Sequence, residues 1–236
     1  MDWTKNYQLF LFDFDGLLVN TEALHLESYQ RMCLERGHVL DLDLATYNRV
    51  AQFDATGPSK AIYAKFPELK KIEWEVLRGR KNQIYLELVQ KGEIELMPGV
   101  EPLLLLLQKN NIPHCVVTHS KPEQIAPLRA KFPLLDQIPH WITRQDYSQP
   151  KPHPECYLKA IKMLSKPGDQ IIGFEDSPKG LQALLAAGCN AVMVNPFFTK
   201  EEILPLTGSD FFHFTTLVDL QGIDDLKKKK SLSSSA

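Results

Sequence analysis

The chain of 236 residues is longer than an average domain and shorter than two, so one domain carrying an insertion is the expected organisation. Its hydrophobic (44%), charged (24%) and aromatic (9%) shares are those of a soluble globular protein and exclude a disordered or fibrous chain. The net charge is -2; without the run Lys227 to Lys230 it is -6, from 23 basic and 29 acidic residues, which argues against a nucleic-acid-binding surface.

Leu9 to Phe12 is a continuous apolar run of strand length bounded by Asp13, as expected of a central strand covered on both faces. Residues 21–96 then lack a convincing buried strand. Helices are predicted at Glu22 to Arg36, stopped by Gly37, at Pro58 to Lys65 before Pro67, and at Glu73 to Gln90 before Gly92. That block is longer than a strand crossover requires and reads as an inserted helical cap domain. Pro98-Gly99 marks the return to the core. From there strands at His114 to Val117, Ile171 to Phe174 and Ala191 to Val194 alternate with helices. The helices fall at Val100 to Lys109, Glu123 to Lys131, Pro154 to Leu164 and Pro178 to Ala187. Weaker strands fall at Trp141 to Thr143 and Phe211 to Phe214. The predicted fold is α/β, a Rossmann-like parallel sheet core (1–20 and 97–222) with helices on both faces. Residues 223–236, basic and serine-rich, are expected to be a disordered tail.

Cys33, Cys115, Cys156 and Cys189 offer no CxxC pair and read as free thiols in a reducing compartment. The most apolar segment, Leu103 to Leu107, is far below the roughly 18 residues of a membrane helix. The amino end shows no leader pattern, so a cytoplasmic location with no membrane contact is expected.

Chemistry gathers at strand ends, where open α/β sheets bind ligands. Asp13-Phe14-Asp15-Gly16 follows the first strand, with Phe14 turned away from the two carboxylates. One acid can serve as nucleophile or metal ligand and the other as general acid/base, although loop acids also serve as plain caps. Glu175-Asp176 follows a later strand, and Asp176 or Ser177 could simply cap the next helix. If these strands are neighbours, Asp13, Asp15, Glu175 and Asp176 converge and repel unless a cation holds them. An oxygen-only donor set selects Mg²⁺. Thr118-His119-Ser120-Lys121 offers hydroxyls and amides to phosphate oxygens. Lys151 stands among three prolines in Pro150-Lys151-Pro152-His153-Pro154, either a presented cation or a rigid linker.

Taken in order, Phe12 to Glu22, Val117 to Ser120, Lys151 to Pro154 and Gly173 to Gly180 resemble the four signatures of the haloacid dehalogenase-like hydrolase superfamily. The likeness is greatest to the branch of β-phosphoglucomutase and small-metabolite phosphatases, whose helical cap is inserted between the first two signatures. By that resemblance Asp13 is the nucleophile, Asp15 the general acid/base, and Thr118 and Lys151 bind phosphate, with His119 and Ser120 beside Thr118 as further phosphate-binding candidates. Mg²⁺ is held by Asp13, the carbonyl of Asp15 and Asp176, with Glu175 a direct or outer ligand. His25 and Lys81 match cap positions that contact substrate in the mutase, although each could equally lie on a solvated helix face. The segment Val50 to Pro58 lacks the glycine and arginine pattern of the mutase's second phosphate loop, so a phosphatase of a small phosphorylated metabolite is the simpler expectation. A sugar phosphomutase and a non-catalytic phosphometabolite-binding protein are the alternatives. Dehalogenase activity is disfavoured, since it needs neither Mg²⁺ nor a second aspartate like Asp15. No obligate protein partner is implied.

Overall fold

The computed structural model describes residues 2–222 apart from 55 and 93; the expected tail, 223–236, lies outside the described residues. In chain order the elements are β1 (Leu9–Phe12), α1 (Glu22–Leu34), α2 (Leu44–Phe53), α3 (Gly57–Lys65), α4 (Trp74–Lys91), α5 (Val100–Lys109) and β2 (His114–Val117). They continue with α6 (Pro122–Lys131), α7 (Pro133–Asp136), β3 (His140–Ile142), α8 (Glu155–Leu164), β4 (Ile171–Glu175), α9 (Pro178–Ala186), β5 (Asn190–Val194), α10 (Lys200–Thr207) and β6 (Phe212–Phe214). Two compact units result, one made of the chain up to Leu18 and from Leu96 on, the other of Val19–Glu95.

In the first unit all six strands pair in parallel in the order β3-β2-β1-β4-β5-β6, the expected α/β sheet. The chain winds outward from β1 through β2 to β3, then restarts on the other side of β1 with β4. The winding direction therefore reverses between β1 and β4, and it is at such a switch point that strand-end loops diverge and leave a crevice. Every residue of β1 is fully buried. Leu9 and Leu11 face a core with Cys115, Val117, Cys156, Tyr157, Ala160, Leu181 and Leu184 from β2, α8 and α9. Phe10 and Phe12 take the opposite face and stack on Phe174, with Trp3 against Phe10 and Phe174. Each such side chain contributes roughly 1.5–3 kcal/mol by leaving water. All four cysteines are buried free thiols.

The helical unit closes its own core around Leu26, Tyr29, Met32, Tyr47, Ile62, Leu77 and Ile84. Of the helices missing from the sequence reading, α2, α7 and α10, the first and last have clear local causes. Helix α2 is started by Asp43, whose carboxylate accepts from Thr46 N–H at 2.7 Å, but its buried face carries Asn48 and Gln52, paired at 3.0 Å. A polar buried face blurs the apolar period that reveals a helix. Helix α10 begins with a capping box, Thr199 and Glu202, and holds Pro205 within it, which masks the pattern. No helix of the described residues is long and apolar enough to cross a membrane.

Candidate active site

Strand alternation sets the site. Leu9 and Leu11 point to the α8 and α9 side of the sheet, so two residues further on Asp13 does too, and on β4 Glu175 shares the face of Ile171. Phe12 is in register with Phe174, and Asp13 N–H donates to the Phe174 carbonyl at 3.0 Å, which brings the first acid of β1 beside the end of β4. Phe14 is wholly buried against the Trp141 ring, turned away from the acids as predicted. Gly16 takes φ 77°, a left-handed value that favours glycine and lets the chain turn sharply after Asp15.

The end of β2 supplies Thr118, whose Oγ1 accepts from Ser120 N–H at 2.9 Å and donates to Asp15 Oδ2 at 3.4 Å. Ser120 Oγ donates to the same Asp15 oxygen at 2.5 Å. His119 turns elsewhere: its Nε2 accepts the backbone N–H of Lys151 at 2.8 Å, tying the β2 loop to the proline-rich loop. Packing around the ring, with the cations Lys151, Lys179 and Arg144, lowers the His119 pKa, and the neutral ring remains an acceptor.

Lys151 is buried, which overturns the reading of a solvated linker lysine. Its ammonium donates to Asp13 Oδ1 at 2.6 Å, Glu175 Oε1 at 2.6 Å and the Val117 carbonyl at 3.0 Å. Burial pulls its pKa down, but the carboxylates of Asp13 and Glu175 more than offset this, and the lysine is held charged. Burial raises the pKa of Glu175, an effect the Lys151 ammonium opposes. Ser177 caps α9, its Oγ accepting from Gly180 N–H at 3.1 Å, so the capping role falls to the serine and not to Asp176. A Cβ on Gly180 would lie 1.9 Å from Glu175 Cδ; glycine is what lets α9 approach that carboxylate. The Asp176 carbonyl accepts from Asn195 Nδ2 at 2.7 Å.

Carboxylate oxygens of Asp13, Glu175 and Asp176 lie within 4.8 Å of one another, and two of the three, Asp13 and Glu175, pair with Lys151. Oxygen-only donors at this spacing fit a hard divalent cation and not zinc. The carboxylate of Asp15 stands outside this trio, turned to Ser120 and Thr118. His25 and Lys81 belong to the helical unit, on α1 and α4, and meet each other: Lys81 Nζ lies 2.7 Å from His25 Nδ1. The His25 ring stacks on Tyr85, and Lys81 Nζ lies over the rings of Tyr29 and Tyr85. Lys81 is buried, so the solvated-face alternative does not hold for it.

Residues 10–194 match the family profile of the haloacid dehalogenase-like hydrolases. The chain belongs to that family. Protein CbbY of Cereibacter sphaeroides is 28% identical, covering 91% of this chain and 95% of CbbY. The (DL)-glycerol-3-phosphatase 2 of Arabidopsis thaliana is 30% identical over 78% of each chain. The crystal structure of β-phosphoglucomutase from Clostridium difficile superposes with a TM-score of 0.68 at 20% identity, covering 96% of this chain and 99% of that one, and shows the shared fold. The family match and the sequence relatives place the chain in the small-metabolite phosphatase branch of the haloacid dehalogenase-like hydrolases.

Two residues of the site escape sequence reasoning. Tyr157, fully buried on α8, donates its hydroxyl to Glu175 Oε1, and Asn195 holds the loop of Asp176 from the end of β5. Tyr157 sits with Cys156 and Ala160 on the buried stripe of α8 and so reads as core; its one signal is a hydroxyl on an otherwise apolar stripe.

Proposed function

We propose that this haloacid dehalogenase-like phosphoric monoester hydrolase is a Mg²⁺-dependent phosphatase of a small phosphorylated metabolite, a phosphosugar or nucleotide-like monophosphate. The observation that carries this reading is the clustering of Asp13, Glu175 and Asp176 at the switch point of the sheet, with the buried, charged Lys151 paired to Asp13 and Glu175.

Asp13 attacks phosphorus in line; the Asp13 oxygen to phosphorus bond forms as the phosphorus to alkoxide bond breaks. Asp15, protonated, gives its proton to the departing alkoxide, and as a carboxylate it then takes a proton from the water that displaces phosphate from Asp13. Ser120 and Thr118 orient the Asp15 carboxyl, and His119 fixes the backbone from which Lys151 reaches the transferring oxygens. Asp13 and Asp176, with the Asp15 carbonyl and Glu175 as direct or outer partner, would hold Mg²⁺, which when bound compensates the charge of the phosphoryl oxygens. We assign the helical unit, inserted after β1 and carrying His25 and Lys81, to substrate selection as a cap.

A panel of phosphorylated metabolites with Mg²⁺, read for released phosphate and for isomerised product in parallel, tests the reading. Phosphate release from a small monophosphate, lost in Asp13→Asn, is expected. Isomerisation without release would make the protein a phosphomutase, and silence in both assays a phosphometabolite-binding protein.

A further inference from the structure

Lys151 commits each of its three ammonium protons to an acceptor: Asp13 Oδ1, Glu175 Oε1 and the Val117 carbonyl. An ammonium is tetrahedral, so two fixed acceptors set the direction of its third proton. Val117 is a backbone anchor at the end of β2. Glu175 is a side chain and must itself be held before it can aim anything. Three contacts hold it. Tyr157 OH donates to Oε1, the same oxygen that Lys151 uses; Ser177 Oγ donates to Oε2 at 3.3 Å; and Gly180 packs against the carboxyl group. The Tyr157 ring also lies 4.9 Å from Lys151 Nζ, so one side chain touches both members of the ion pair.

We infer that Tyr157 is a positioning residue for Lys151: through its hydrogen bond to Glu175 it fixes the carboxylate that, with the Val117 carbonyl, directs the remaining ammonium proton to Asp13 and the phosphoryl group whose phosphorus Asp13 attacks. The inference rests on the phosphatase reading for its catalytic consequence. Its structural part, the aiming of the ammonium, does not depend on that reading. A tyrosine serving only to fill the core would make the same contacts through its ring and would lose nothing essential with its hydroxyl. The geometry differs from that, because the hydroxyl is spent on an oxygen already shared with a buried cation.

Tyr157→Phe keeps the ring and deletes the hydroxyl. Turnover is expected to fall about tenfold or more with KM within about twofold, the loss anticipated for one hydrogen bond to a charged group realised in the transition state. The second readout needs no substrate: the ¹⁵N–¹H ammonium signal of Lys151, assigned by its absence in Lys151→Met, is expected to shift and broaden in Tyr157→Phe. Glu175→Gln should reproduce both effects, and the double variant should be no worse than the poorer single one, since Tyr157 acts through Glu175. Wild-type turnover with an unchanged ammonium signal would overturn the inference, as would a raised KM at unchanged turnover or losses that multiply in the double variant. Failure of the phosphatase reading looks different. There Asp13→Asn would keep wild-type turnover, or the wild type would release no phosphate, while the ammonium signal still reports on Tyr157.

Discussion

Ser120 Oγ stands 2.5 Å from Asp15 Oδ2, so the hydroxyl that the second signature places near the phosphate is spent on the proposed general acid/base. Donors on Oδ2 fix the rotation of the carboxyl, and with it the direction in which Asp15 exchanges a proton with alkoxide and water. Ser120→Ala is expected to lower turnover about tenfold, the rate equivalent of roughly 1.5 kcal/mol for a hydrogen bond to a charged group, with KM nearly unchanged. Steady-state kinetics separate the outcomes. A rise in KM at unchanged turnover would return Ser120 to direct phosphate contact.

The carboxylate trio makes metal removal a second test. A dication that binds the folded chain and not the unfolded one stabilises by about 2.7 kcal/mol at one hundred times its Kd, which for a chain of this size raises the melting temperature by roughly 5–10 °C. Mg²⁺ is expected to produce such a shift, EDTA to reverse it and abolish phosphate release, and Asp176→Asn to remove most of it. An equal shift in Asp176→Asn, followed by scanning calorimetry, would place the cation away from Asp13, Glu175 and Asp176.

Why some of this is legible in the sequence and some is not comes down to how each residue does its work. Asp13, Glu175 and Asp176 are legible because a polar residue ending an apolar strand has one place to be, the sheet's ligand edge, and β1 and β4 do pair. The direction in which a loop side chain turns is a different matter. Nothing in Thr118-His119-Ser120 distinguishes hydroxyls aimed at a ligand from hydroxyls aimed at Asp15, or a phosphate-binding histidine from one that accepts Lys151 N–H. Tyr157 is hidden for a further reason: on α8 it satisfies the rule for a core residue, and its hydroxyl acquires meaning only once β4 brings Glu175 to it. Helix α2 is hidden by the Asn48 and Gln52 pair, which satisfies its polar atoms inside the helical unit and erases the stripe.

In that unit Lys81 Nζ and His25 Nδ1 are 2.7 Å apart, close enough that a protonated imidazole would face the ammonium directly. Desolvation lowers the His25 pKa well below the usual histidine range, and the Lys81 charge lowers it further. Lys81→Met keeps most of the stem and removes the charge. The His25 midpoint should then rise, by the share that belongs to Lys81 and not by the larger share due to desolvation. Imidazole proton shifts followed against pH check it. An unmoved midpoint would mean that the ammonium does not act on the ring.

His114 gives the fold its own acid sensitivity. It is buried on β2; Nδ1 lies 2.8 Å from the Ile112 carbonyl, and Nε2 has no hydrogen-bond partner among the described residues. Protonation would put a donor on Nε2 with nothing to receive it. Desolvation therefore lowers the pKa, against the raising effect of the Ile112 carbonyl, and His140 lowers it further. With the folded value depressed, the unfolded chain binds the extra proton first. The contribution of a neutral His114 is complete above the unfolded value of about 6.5 and is lost as the pH falls from there toward the folded value. His114→Leu removes the titration. Melting temperatures measured from pH 7.5 down to pH 5 should show the wild type losing ground to this variant steadily as the solution is acidified. A constant difference across that range would show that His114 binds its proton equally well in the folded and unfolded chain, contrary to its burial on β2.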